Sequence, residues 1–146
     1  MVTFLLHPNV VVWLARLLEA TGHAVYLPEV LGMATTSDPL KLLRATELKS
    51  VFVTHNLEDV VLMHDAWQQW SRAWGVNRPH GGILVIPQFP HWTAEQSAAA
   101  IDQLSRSGVK MENELLVWSR AENRWLRRRL DGGWEPALKP TARRPD

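Results

Sequence analysis

Cysteine is missing from this 146-residue chain. Its absence excludes a disulfide framework, a thiolate metal site and a catalytic cysteine, and it agrees with a reducing, cytoplasmic setting. No apolar run approaches the roughly 18 residues of a membrane-spanning helix. Met1 to Leu6 is too short for a secretory signal and lacks its basic flank. GxxxxGK[ST], GxGxxG and GxSxG are also missing, which argues against a P-loop, a dinucleotide fingerprint and a hydrolase elbow. The six histidines (His7, His23, His55, His64, His80 and His91) fall in no zinc spacing. A phospho-receiver would carry an acidic pair after its first strand, where this chain has His7-Pro8-Asn9.

Charge is nearly balanced at +1, yet it is unevenly spread. Residues 1–119 hold 8 basic and 11 acidic residues, and residues 120–146 hold 8 basic and 4 acidic. A basic end on a mildly acidic body points to RNA or another acidic partner, or to a solvated charged strand and tail. Eight tryptophans in this length bear on packing and contact surfaces more than on chemistry.

Apolar runs predict buried strands at Val2 to Leu6, Ala24 to Leu27, Val51 to Thr54, Ile83 to Ile86 and Glu114 to Trp118. Helical spacing covers Asn9 to Thr21, Ser37 to Lys49, Asn56 to Trp74 and Thr93 to Ser107. Asn9 reads as a cap for the first helix, Asp38 as a cap for the second, and Pro39 suits a first helical position. Arg124 to Leu130 alternates like an edge strand. The alternation of strand and helix predicts an α/β domain with a mainly parallel sheet of about five strands over residues 1–130. A Pro/Arg-rich, fraying tail is expected over residues 131–146.

Ligands in such sheets sit beyond the carboxyl ends of the strands. The segment Val51 to Asp59 is the most distinctive there: a buried strand ends in Thr54, and a helix bearing Glu58 and Asp59 begins at once. Carboxylates in a first helical turn suit the helix dipole. They also suit a hard cation, because Mg²⁺ or Mn²⁺ takes carboxylate oxygens, waters and substrate phosphates. Asp38 and Asp59 both open helices at the same sheet edge and are expected to converge.

These pieces in order resemble the PIN-like domain family, the nuclease fold of VapC-type toxins and of small bacterial PIN-like proteins. Phe4-Leu5-Leu6-His7-Pro8-Asn9 stands where the family has an apolar strand ending in Asp-Glu-Asn. Leu17 to Val25 resembles its LxxxGHxV turn, and Ser37-Asp38 followed by Leu42, Leu43 and Ala45 resembles its SD-opened helix. Val51 to Asp59 resembles VxVTxNxxDF, and His80 to Ile86 resembles HxGIxxI. The resemblance covers about Thr3 to Ser105. It implies a three-layer PIN-like fold and metal-dependent hydrolysis of RNA phosphodiesters by a toxin-like ribonuclease. Asp38 and Asp59 would hold Mg²⁺ or Mn²⁺, with Glu58 adding charge and with Thr54 and Asn56 supporting the site. His7 and Asn9 would meet the substrate. The departures are His7 for the first acid, Pro8 for the following Glu and Val60 for the aromatic after Asp59. Neutral imidazole binds Mg²⁺ poorly and suits Mn²⁺ better.

The alternative is a catalytically degenerate PIN-like module that binds RNA or a protein partner, such as an antitoxin-like chain. Arg127 and Arg129, on one face of the last strand near Trp125, form its phosphate-contacting strip, or else charges that guard an edge strand. Trp67, Trp70 and Trp74 share a helix face, which is either core or a homodimer surface.

Overall fold

Four-residue runs such as Thr3–Leu6 (β1) and Val51–Thr54 (β3) are apolar almost throughout, and a strand of that kind needs cover on both faces. The computed structural model, which describes residues 1–138, supplies that cover. β1 leads through α1 (Val12–Ala20) to β2 (Ala24–Tyr26), and α2 (Asp38–Glu47) leads to β3. The chain continues through α3 (Leu57–Ala73), β4 (Ile83–Val85), α4 (Ala94–Arg106) and β5 (Leu115–Ser119), and closes with β6 (Arg124–Arg128) and β7 (Trp134–Pro136). The sheet order is β2-β1-β3-β4-β5-β6-β7. The first five strands run parallel, and β6 and β7 return antiparallel.

Alternation along the strands divides the core. Phe4, Leu6, Val53, Leu84 and Leu116 pack with Leu14 and Leu18 of α1 and Ile101 and Leu104 of α4. Leu5, Phe52, Ile83 and Leu115 pack with Leu42 of α2 and Val60 of α3. Helices therefore cover both faces of the sheet. No helix among the described residues is long and apolar enough to cross a membrane.

The expected elements recur within one to three residues, with four corrections. The sheet has seven strands instead of about five. β6 is internal, because Trp134–Pro136 pairs with it. The region expected to fray from residue 131 thus adds an edge strand, while residues 139–146 of that expected tail lie outside the described residues. Third, neither Asn9 nor Asp38 caps a helix: Val11 and Ser37 occupy the cap positions, without side-chain cap bonds. Fourth, the tryptophan stripe runs out of the core. Trp67 packs against it, whereas Trp70 is 41% and Trp74 74% exposed.

Gly81 and Gly82 have a steric role. A Cβ on Gly81 would lie 2.2 Å from the Ser50 carbonyl oxygen, and one on Gly82, at φ +110°, would lie 2.5 Å from that of Met111. Only glycine lets this loop enter β4 so closely.

Candidate functional site

The order 2-1-3-4-5 reverses direction between β1 and β3, and the crevice beyond their carboxyl ends is where a doubly wound sheet takes ligands. His7 leaves β1 there, its N–H donating to the Val53 carbonyl at 2.8 Å. Its ring is oriented from both sides. Nδ1 accepts the Asn9 backbone N–H at 3.0 Å, so Nε2 carries the proton and donates to Asp38 Oδ1 at 2.8 Å. Asp38 Oδ1 also lies 3.7 Å from Nζ of Lys41, one turn along α2. Lys41 is only 3% exposed, and its ammonium donates in addition to the Thr36 carbonyl.

Thr54, at the end of β3, is buried, and its Oγ1 accepts the Asn56 N–H at 3.2 Å. The Asn56 side chain donates to Asp59 in the first turn of α3. Glu58 is exposed beside it. The structure therefore gathers two pairings, His7–Asp38–Lys41 and Thr54–Asn56–Asp59, at neighbouring strand ends.

Mg²⁺ or Mn²⁺ does not fit this donor set well. Among the described residues, no group of three or more His, Asp or Glu residues could hold a metal ion. Asp38, Asp59 and Glu58 therefore do not form a three-ligand cluster. Where a cation would balance Asp38, the buried Lys41 ammonium already does so, and His7 adds no negative charge.

The strip expected from Arg127 and Arg129 lies elsewhere. Arg127 stands opposite Leu116, near the start of β5, which places it at the amino edge of the parallel strands and away from Asp38 and Asp59. Its guanidinium is paired with Glu135, its direct cross-strand neighbour, and lies 3.8 Å from Glu114. Arg128 makes a two-pronged contact with Asp65, and Arg129 pairs with Asp131.

Next to His7 a cleft of about 510 Å³ opens between the starts of α1 and α4. Its walls include Asn9, Val10, Leu14, Pro87, Phe89 and Trp92. Phe89 is 77% exposed, and Trp92 is braced by stacking on Trp118 at 5.0 Å. The His55 Nδ1–H donates to the Ile86 carbonyl at 2.9 Å, so Nε2 is the acceptor of the neutral ring, and His55 is one of the residues that line the cleft. Glu95, on the rim, accepts from Trp13 Nε1 at 2.9 Å, which holds its carboxyl below the usual range. The cleft is thus apolar with one carboxylate on its rim, and Glu58 and Asp59 open the helix that follows His55.

Sequence reasoning missed Lys41 and Trp92, and it singled out the segment holding His55 without giving that histidine a role. Lys41 had a local signal, since it lies three residues after Asp38 on one helix face. The cleft had none, because its walls come from segments some 80 residues apart. Comparison with protein-family models, curated proteins and solved structures finds no match.

Proposed function

We propose that this chain is a PIN-like module that binds without cleaving, and that its carboxyl edge docks an apolar segment of a basic protein partner. The observation that carries this reading is the engagement of Asp38 by His7 and buried Lys41, which spends a would-be metal ligand on an internal ion pair. The adjoining cleft supports it with aromatic walls and the Glu95 carboxylate on its rim, while Glu58 and Asp59 open the helix that follows the cleft residue His55. An apolar side chain would fill the cleft while flanking cations met the acids. The antitoxin-like partner that the resemblance implies is of this kind. The rival reading is the metal-dependent ribonuclease, with Asp38, Asp59, Thr54 and Asn56 as its site and RNA as its substrate.

The test uses two peptides with alternating leucine, one carrying arginine and the other glutamate between the leucines, titrated by NMR. The arginine peptide is expected to shift the His55 and Trp92 side-chain resonances and to bind at least tenfold more weakly to Phe89→Ala. Phe89 is exposed enough that its loss leaves the core intact. Equal binding of both peptides, or no shift at millimolar concentration, would overturn the reading.

A further inference from the structure

A second cleft, of about 770 Å³, lies at the opposite, amino edge of the sheet, between the end of α3 and the β6–β7 hairpin. Its walls are polar and include His64, Arg72, Arg78 and Lys110. His64 and His80 form a buried hydrogen-bonded pair whose proton positions follow from their neighbours. The Gly82 N–H donates to His80 Nδ1 at 2.9 Å, so the His80 proton sits on Nε2. That Nε2–H donates to His64 Nδ1 at 2.8 Å, and the His64 proton is therefore on its own Nε2. His64 is only 3% exposed, yet its Nε2–H has no hydrogen-bond partner among the described residues. Every fully buried side-chain nitrogen or oxygen among those residues has a partner, so this N–H is not sealed, and His64 lines both this cleft and a smaller adjoining one that shares Gln68, Arg72, Arg129 and Asp131 with it. Burial keeps both rings neutral, with His64 lowered to about 4 and His80 to about 3.

The charges around this N–H are unequal. Arg127, Arg128 and Arg129 are occupied by Glu135, Asp65 and Asp131. Arg72, Arg78 and Lys110 make no ion pair among the described residues, and of the acids lining the cleft only Glu112 is likewise unpaired. A preset neutral donor at the base and three uncommitted cations at the rim are complementary to an oxyanion that accepts several hydrogen bonds. The cleft exceeds the size of one phosphate, and its rim is open.

We infer that this amino-edge cleft is a phosphate-binding site, in which His64 Nε2–H donates to a phosphoryl oxygen while Arg72, Arg78 and Lys110 balance its charge. The site is independent of the docking cleft, which lies at the other end of the strands. Free phosphates and the backbone of a single-stranded RNA share this chemistry.

Calorimetry of the full chain at low salt separates the two sources, with inorganic pyrophosphate as one probe and an unstructured oligoribonucleotide as the other. Binding of either probe is expected, weakened at least tenfold in the double variant Arg72→Ala/Arg78→Ala, whose changes lie on exposed side chains. His64→Leu is expected to weaken it as well, and His64→Gln, which keeps an N–H donor, to retain more. Binding of the oligonucleotide alone assigns the site to RNA, and its affinity then falls with salt. Binding of pyrophosphate alone assigns it to small phosphates. No binding of either probe, or binding untouched by the arginine substitutions, would overturn the inference.

Discussion

Asp38→Ala is expected to lower the unfolding free energy by about 3 kcal/mol, because it strands a buried cation. Among the described residues, Lys41 Nζ pairs only with Asp38 and the Thr36 carbonyl, at 3% residue exposure. The His7 Nε2–H loses its acceptor in the same variant. Urea denaturation reads the loss directly. Adding Lys41→Met should recover most of it, since a buried ion pair exchanged for apolar groups of similar volume is often close to neutral, and the cycle of single and double variants isolates the pair. A metal-binding carboxylate would behave in the opposite way. Acids gathered for an ion repel one another in its absence, so trimming one stabilises the fold at the expense of function. Unchanged or increased stability in Asp38→Ala would contradict the ion-pair assignment.

Acid should weaken the fold well before the carboxylates titrate. His64 and His80 are held neutral by burial, at about 4 and about 3 against an ordinary 6.5, and each also feels a nearby cation or its partner ring. A folded value below the unfolded one means that the unfolded chain takes up protons first, so stability is full above 6.5 and falls as pH drops toward 4. At pH 5 each histidine costs about 2 kcal/mol relative to pH 7, or about 4 kcal/mol for the pair. Asp65, beside His64, works against this loss, and Arg128 adds to it. Urea midpoints at pH 7 and pH 5 give the difference. His80→Asn, whose Oδ1 can replace Nδ1 as acceptor for the Gly82 N–H, should reduce the slope by about half. A stability independent of pH between 7 and 5 would show that the pair is not held neutral.

The architecture was readable because its signals are local. Val51 to Thr54 is unbroken in its apolar character, and the run from Val60 through Trp67 keeps helical spacing, so neither needed distant information. β7 was not readable: three residues ending in proline, after two glycines, carry no strand pattern, and their place depends on the neighbouring arginine strand. The candidate site divides in the same way. Its position followed from where strands end, and Thr54, Asn56 and Asp59 are indeed hydrogen-bonded together. The partners of the charged groups were hidden, because Arg128 meets Asp65 across 63 residues and His64 meets His80 across 16. Alternation placed Arg127 and Arg129 on one face, yet it could not show that acids already occupy both.

The most direct test of a binding rather than a cleaving module is a cleavage assay on single-stranded and structured RNA with Mn²⁺, Mg²⁺ or EDTA, beside Asp59→Ala. The account predicts no metal-dependent cleavage by either protein, since Asp38 is committed to Lys41 and Asp59 to Asn56. Cleavage that requires Mn²⁺ or Mg²⁺ and disappears in Asp59→Ala would contradict it and restore the nuclease reading.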